Sequence, residues 1–178
     1  MMSEILKKDT TLDFHTSSQK YKKFPLRVLL DNIRDEINVG SALRVSDALC
    51  VEHLHCGGEN EGVSMKKLRR VSRGTDSHVP YSFTNDLLQT IKDLQAEGFT
   101  VVALEITSES KILYDIDFQA IPKIAVVVGA ENMGISEAIL KQCDFTAHIP
   151  MYGVGFSMNV ICALSIALYE VVRQKNKQ

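Results

Sequence analysis

Several features that would narrow the class of protein are scarce or absent in this sequence. It has no tryptophan, only 7% of its residues are aromatic, and its four cysteines show no CxxC spacing. Few aromatic rings argue against binding that depends on stacking, and scattered cysteines indicate buried small residues without disulfides. Polar residues interrupt the longest apolar stretch before it reaches the roughly 20 residues of a membrane span. Since the first nine residues also lack the apolar core of a signal peptide, we expect a cytoplasmic protein.

Charge is balanced over the chain but uneven along it. The 178 residues carry a formal net charge of −2, with 45% hydrophobic and 24% charged residues, which fits one compact globular domain. This small net charge argues against a protein that binds nucleic acid through its overall charge. Two short segments are nevertheless basic, and such clusters can neutralise phosphates locally. They contain Lys20, Lys22, Lys23 and Arg27, and then Lys66, Lys67, Arg69, Arg70 and Arg73.

Short apolar runs that alternate with helical patterns predict an α/β fold with a mostly parallel sheet. The first 24 residues are polar and are interpreted as a basic N-terminal arm, and residues 25–178 as one domain. The uninterrupted β-branched run from Ile124 to Val128 is typical of a strand buried on both faces. The predicted strands are Leu26–Leu30, Val51–Cys56, Val79–Phe83, Phe99–Ile106, Ile124–Val128 and Phe145–Pro150.

Helical spacing of apolar residues predicts four helices. The first follows a charged loop from Ile33 to Gly40 and is capped by Ser41, and the second is capped by Asn85. The other two begin at Ile135 and near Met158. The last helix is apolar on nearly all sides, so protein has to enclose it. We therefore expect a second copy of the chain to cover part of this helix.

Polar residues recur in pairs where predicted strands give way to helices. In open α/β sheets, ligands bind at the carboxyl ends of strands, where loops and helix N-termini present backbone donors. We therefore predict one composite site assembled from three turns. The pairs are Asn38 with Arg44, Gly129 with Glu131, and Ser157 with Asn159.

Other classes of site fit the sequence less well. His53, His55 and Cys56 suggest a metal site, but strand alternation places only the two histidines on one face, without a carboxylate nearby. Ser157 resembles a nucleophile, yet the G-x-S-x-G elbow is incomplete and His148 has no acidic partner. Neither GxGxxG nor GKS/GKT is present, which disfavours dinucleotide and P-loop sites. The alternative that Ser157 only caps the last helix stays open.

Three motifs, taken in order, carry a resemblance to a known family. They are N-x-G-x-x-x-R from Asn38 to Arg44, G-x-E-x-x-G from Gly129 to Gly134, and IPM followed by S-x-N between Ile149 and Asn159. This set resembles the TrmH (SpoU) branch of the SPOUT RNA methyltransferases over roughly residues 25–173. The resemblance implies a deep C-terminal trefoil knot, a homodimer through the last helix, and S-adenosylmethionine as cofactor. It also implies methyl transfer to a ribose 2′-oxygen in structured RNA.

The resemblance also implies roles for individual residues. An arginine side chain stays protonated in proteins, so it cannot accept the proton of the ribose hydroxyl. We therefore interpret Arg44 as binding the phosphate beside the target ribose and stabilising the forming alkoxide. Glu131 would hold loop amides or Asn38, and the asparagines would position the ribose. The predicted catalytic residues are Asn38, Arg44, Glu131, Ser157 and Asn159. The predicted cofactor-binding residues are Leu104, Gly129, Ile149 and Met158.

RNA is the expected partner, with transfer RNA favoured over ribosomal RNA. Without a recognisable additional RNA-binding domain, contacts are expected from the arm, from the basic segment Lys66–Arg73 and from the dimer surface. A non-catalytic RNA-binding dimer of the same fold is the alternative. The intact motif residues argue against it, since a decayed site would lose some of them. No metal or membrane is expected to take part.

Overall fold

Seven parallel strands form the centre of the molecule. The structure, a computed structural model, describes residues 23–58, 63–155 and 157–176. The strands are β1 (Phe24–Asp31), β2 (Val51–Gly57), β3 (Tyr81–Thr84), β4 (Thr100–Leu104), β5 (Lys111–Ile112), β6 (Ile124–Gly129) and β7 (Phe145–His148). They pair in the order β3-β2-β1-β6-β4-β7-β5, and each pairing is parallel. The predicted α/β fold with a parallel sheet is confirmed, while the knot stays a prediction.

Helices connect the strands on both faces of the sheet. They are α1 (Glu36–Ala48), α2 (Met65–Ser72), α3 (Leu87–Ala96), α4 (Glu137–Gln142) and α5 (Val160–Lys175). The prediction did not contain α2 or the two-residue strand β5. It also placed the cap of α3 one residue too early, because the Asp86 side chain accepts from the Gln89 amide at 2.8 Å. Most of the predicted arm lies outside the described residues.

The first helix begins earlier than its sequence pattern predicts. Asp35 is its N-cap, and the Asp35 carboxylate accepts from the Ile37 amide at 2.9 Å. The predicted loop from Ile33 to Gly40 and the predicted cap Ser41 are therefore wrong. Glycine is an unfavourable residue inside a helix, which is why Gly40 indicated a loop. Here a Cβ at Gly40 would lie only 2.8 Å from the Val71 Cβ, so the glycine permits close packing of α1 on α2.

Two apolar cores lie on opposite faces of the sheet. Every residue of β6 is buried, and its side chains alternate between the cores. Val126 and Val128 belong to the core beneath α1 and α5, and Ala125 and Val127 belong to the core beneath α3 and α4. Since β6 pairs with β1 on one side and β4 on the other, it is an inner strand buried on both faces, as its β-branched run predicts.

The last helix has one face buried by its own chain and one face exposed. Its buried residues include Leu164 and Leu168, whereas Ile166 is 44% exposed and Tyr169 is 61% exposed. A helix with large apolar side chains on its outer face is still consistent with a partner subunit, which stays a prediction. None of the described helices is long and apolar enough to cross a membrane.

Two histidines on β2 share one serine. His53 Nε2 lies 3.0 Å and His55 Nδ1 lies 3.2 Å from the Ser82 hydroxyl, so the pair lies on one face as predicted. Cys56 belongs to the core on the other face. Burial, followed by the charges of His53 and Arg27, lowers the pKa of His55 to about 4. Its Nε2 is buried and has no hydrogen-bond partner among the described residues. The fold therefore holds this imidazole neutral.

We expect His55 to make the protein less stable in mild acid. Between pH 6.5 and about 4 the unfolded chain binds a proton that the folded protein resists, so stability is complete above pH 6.5 and falls as the pH drops. The loss should reach up to about 2 kcal/mol after discounting for partial exposure. Urea unfolding of wild type and of His55→Asn, repeated between pH 6.5 and about 4, measures this loss of unfolding free energy. Equal pH slopes for both proteins would contradict the prediction.

Candidate functional site

A cleft that is partly open to solvent lies at the carboxyl ends of β4 and β6. The segment after β7 and the start of α5 form its remaining walls. Most of the lining is apolar, including Val128, Met151 and Val160. Six of the predicted site residues line this one cleft: Leu104, Gly129, Glu131, Ile149, Ser157 and Met158. The structure thus brings together residues from three separate parts of the chain, and their roles stay predictions.

The loop after β6 folds back tightly on the strand end. The Gly134 amide donates to the Ala130 carbonyl at 2.8 Å, and Gly134 has a positive φ of 64°. A Cβ added at Gly129 would lie 2.1 Å from the Gly134 carbonyl carbon, closer than any side chain tolerates. Glycine at position 129 is therefore required for this turn, which forms one wall of the cleft.

Two carboxylates, from the ends of the two strands that flank β6, hold the far side of this loop. Asp31, the last residue of β1, is only 3% exposed and accepts from the Ser136 amide at 2.8 Å. Glu105, the first residue after β4, accepts from the Ile135 amide at 3.1 Å. Sequence reasoning missed both residues. The available signal was their position, because each is an acidic residue at the carboxyl end of a strand.

Glu131 and Asn159 connect the two loops that face each other across the cleft. The Asn159 Nδ2 donates to Glu131 Oε1, while the Asn159 Oδ1 accepts from the Ile161 amide at 3.0 Å and the Cys162 amide at 3.3 Å. Asn159 is therefore the N-cap of α5, and the alternative that Ser157 caps this helix is wrong. Among the described contacts, Glu131 binds Asn159 and not the predicted partner Asn38.

Asn38 and Arg44 both lie on α1, so the predicted turn that contains Asn38 is wrong. Asn38 is half-buried in the first helical turn, whereas Arg44 is exposed about 9 Å further along the helix axis. Neither residue is among those that line the cleft of its own chain. The reason for the wrong prediction is the early helix start at Asp35. Because α1 contacts α5, both residues nevertheless lie on the face of the sheet that carries α5.

The second basic segment forms the short helix α2, which packs on α1. Lys67 binds Glu36 at 2.8 Å, and this bond is the main reason why the pKa of Glu36 falls to about 2. Arg69 lies 3.8 Å from Asp76. The remaining cations are exposed and form no ion pair with another described residue; they are Lys66, Arg70 and Arg73.

The first basic segment is partly used within the fold. Arg27 pairs with Glu52 at 3.2 Å and with Glu97 at 3.4 Å, and its guanidinium lies over the Phe99 ring. Lys20 and Lys22 lie outside the described residues. Arg27 is therefore committed to contacts inside the fold, and α2 presents the clearer basic surface.

Comparison with known proteins gives a family match over most of the chain. The profile of the SpoU rRNA Methylase family matches residues 25–169. A protein of Staphylococcus aureus (strain COL), assigned to the TrmH family of tRNA/rRNA methyltransferases, is 32% identical over 165 residues. The match covers 92% of this chain but 65% of that protein, so the chain spans less than two thirds of its relative.

Solved structures share the fold. The SpoU methyltransferase AviRb from Streptomyces viridochromogenes, crystallised with S-adenosylmethionine, superposes with a TM-score of 0.75 at 27% identity, covering 89% of this chain and 64% of that one. A structure described in terms of 2-OH methylation of C/U34 on tRNA gives a TM-score of 0.74 at 27% identity. The match covers 86% of this chain and 97% of that one. The profile match includes every residue that lines the cleft.

Proposed function

Because the chain belongs to the SpoU rRNA methylase family, we propose that it transfers a methyl group from S-adenosylmethionine to a ribose 2′-oxygen of structured RNA. One observation carries the proposal most directly. All four residues that the family resemblance predicts to bind cofactor line a single cleft at the carboxyl ends of parallel strands. Ligands of open α/β sheets bind at this edge.

The chemistry of the cleft suits this cofactor. Its apolar walls fit an adenine ring and the methylene groups of the methionine part, and Leu104, Ile149 and Met158 would hold these parts. Glu105 and Glu131 present carboxylates to a positively charged ligand. When bound, S-adenosylmethionine supplies an electrophilic methyl group on a sulfonium centre.

The chain's own residues would activate the ribose. A hydroxyl is a weak nucleophile at neutral pH, so charge developing on its oxygen needs a stabilising partner. Arg44 would bind the adjacent phosphate and stabilise that charge, and the proton would leave to the phosphate or to water. Asn38 would position the ribose. The bond between Asn159 and Glu131 would keep the two cleft loops together during the reaction.

A homodimer completes this proposal. The exposed Ile166 and Tyr169 on α5, together with Tyr114, border a groove with an apolar lining that a second copy of the chain can cover. Arg44 does not line the cleft of its own chain, and α1 contacts α5. We therefore propose that Arg44 serves the cleft of the partner subunit across this interface.

The RNA would lie over the basic helix. Exposed cations on α2 neutralise phosphates without reading a base sequence, which suits recognition of a folded RNA by shape. Transfer RNA is the favoured substrate, supported by the tRNA described for one structural relative of similar length. The exposed residues of this surface are Lys66, Arg70 and Arg73.

The direct test uses purified protein and two measurements. Calorimetry with S-adenosylmethionine should show one saturable site per chain. Incubation with methyl-labelled cofactor and total RNA should then label one RNA species, because a shape-selective enzyme modifies few sites. The modified position should resist alkaline cleavage, since a methylated 2′-oxygen no longer attacks its phosphate.

Each possible result has a clear meaning. Label on a base, with alkaline cleavage unchanged, would contradict the ribose assignment. Folded protein that binds RNA but not S-adenosylmethionine would instead support the non-catalytic RNA-binding dimer.

A further inference from the structure

The charges around the cleft are of one sign. Glu105 and Glu131 both line it, and no lysine, arginine or histidine is among its described lining residues. The other walls are mainly apolar, which weakens the screening that bulk water gives to exposed charges. A ligand in the cleft therefore meets two carboxylates without a balancing cation from the lining.

Backbone donors fix the Glu105 carboxylate in place. Its Oε1 accepts from the Ile106 amide at 3.0 Å, and its Oε2 accepts from the Ile135 amide at 3.1 Å. A Cβ at Gly134 would lie 2.6 Å from the Glu105 Oε2, which shows how closely the carboxylate approaches the loop. Because both oxygens are held, the charge cannot swing away from the cleft as a free surface glutamate does.

Glu131 is held by a different partner. Its Oε1 accepts from Asn159 Nδ2, and Asn159 itself caps α5. All three hydrogen-bond partners of Glu105 and Glu131 are uncharged amides, so none of these bonds cancels the negative charge of a carboxylate. The two residues lie on different loops, one after β6 and one after β4.

We propose that Glu105 and Glu131 make the cleft selective for the positively charged cofactor over its neutral product. This inference rests on the proposed function. S-adenosylmethionine has a sulfonium and an ammonium group against one carboxylate, and so has a net positive charge. Methyl transfer leaves the sulfur electron pair on a neutral thioether, so S-adenosylhomocysteine has no net charge. The fixed carboxylates therefore attract the substrate more strongly than the product.

The selectivity has a consequence for turnover. Methyl transfer removes the sulfonium charge and with it the attraction between the ligand and the two carboxylates. The product therefore binds more weakly than the cofactor and is replaced by a fresh cofactor molecule. Glu105 is a specificity residue in this proposal, because its carboxylate acts on the ligand through charge. Its hydrogen bonds to the loop would affect both ligands alike.

The test compares two affinities in the same protein. Calorimetry gives the dissociation constants of S-adenosylmethionine and S-adenosylhomocysteine for wild type and for Glu105→Gln. The preference for S-adenosylmethionine is the dissociation constant of S-adenosylhomocysteine divided by that of S-adenosylmethionine. This ratio should fall by at least about threefold in the variant, because one fixed charge is lost near the ligand. A change in loop structure alone would weaken both ligands equally and leave the ratio unchanged, so an unchanged ratio would overturn the inference.

Glu97→Gln is the matched control. It removes the same charge at the C-cap of α3, three residues before β4 begins. The five residues of β4, which span about 16 Å, separate this position from the cleft, and that distance exceeds a Debye length at physiological salt. The ratio of the two dissociation constants in Glu97→Gln should equal that in wild type. A fall in this control as large as in Glu105→Gln would show that general charge, not the fixed carboxylate, governs the ratio.

A salt titration of the wild-type protein keeps the inference testable if Glu105→Gln does not fold. Raising the ionic strength from about 0.1 M to 1 M shortens the Debye length from about 10 Å to 3 Å. S-adenosylmethionine should then bind more weakly while S-adenosylhomocysteine changes little. Parallel salt dependences would overturn the inference, whereas failure of wild type to bind S-adenosylmethionine at all would overturn the proposed function itself.

Discussion

Replacing Arg44 with lysine is expected to slow methyl transfer to RNA by at least about a hundredfold. Affinity for S-adenosylmethionine should change by less than about twofold, because Arg44 is not among the residues that line the cleft of its own chain. Lysine keeps the positive charge but loses the planar fork that binds phosphate oxygens in pairs. Single-turnover methylation and calorimetry on the same preparation measure both quantities. Near wild-type turnover would contradict the proposed role of the guanidinium.

Mixing two inactive variants tests whether Arg44 acts across the dimer. Arg44→Ala and Glu131→Ala are each expected to be inactive as homodimers. If Arg44 serves the partner's cleft, a mixed dimer contains one site with both substitutions and one site with none. Co-expression should then restore roughly a quarter of wild-type activity, since half of the dimers are mixed and each has one intact site. Mixed dimers without activity would show that Arg44 acts within its own subunit.

Replacing Gly129 with alanine is expected to weaken S-adenosylmethionine binding by at least about a hundredfold. The new methyl group would lie 2.1 Å from the Gly134 carbonyl carbon and 2.3 Å from the Ile135 amide nitrogen. Both are backbone atoms, so the loop itself has to move. That movement displaces a wall of the cleft and breaks the bond between the Ile135 amide and Glu105. Calorimetry measures the loss of affinity.

Gly153→Ala is the matched control for this substitution. Gly153 lies in the other glycine-containing loop near the cleft, and a Cβ there meets no atom of the described residues within 4 Å. It should bind S-adenosylmethionine within about threefold of wild type, because a methyl group in open space disturbs nothing. Equal affinity losses in both variants would mean that glycine flexibility, not the close approach at Gly129, controls binding.

The strands were predictable because burial leaves a direct mark on their sequence. The run from Ile124 to Val128 has no polar residue, and β6 is indeed buried on both faces. Helix boundaries were harder to predict, since they depend on single caps and on packing. Gly40 indicated a loop by its intrinsic preference, but contact with Val71 on α2 makes a glycine suitable inside α1.

The cleft was predictable in its parts but not in its connections. The motifs correctly indicated that Gly129, Ile149 and Met158 would meet near one another. They did not indicate Glu105, which has no motif around it, or the bond between Glu131 and Asn159. A motif reports which residue types recur at a spacing. It does not report which carboxylate finds which amide.

By itself, the sequence determined six of the seven strands, which edge of the sheet would carry the polar residues, and which family the motifs indicate. These properties are local, because they follow from periodicity and from residue type at short spacing. The tertiary structure alone decided that β6 lies between β1 and β4. That pairing brings Asp31 to the Ser136 amide across 105 residues and sets Glu105 beside Ile135. Contacts over such separations depend on how strands assemble in space, which short-range spacing does not encode.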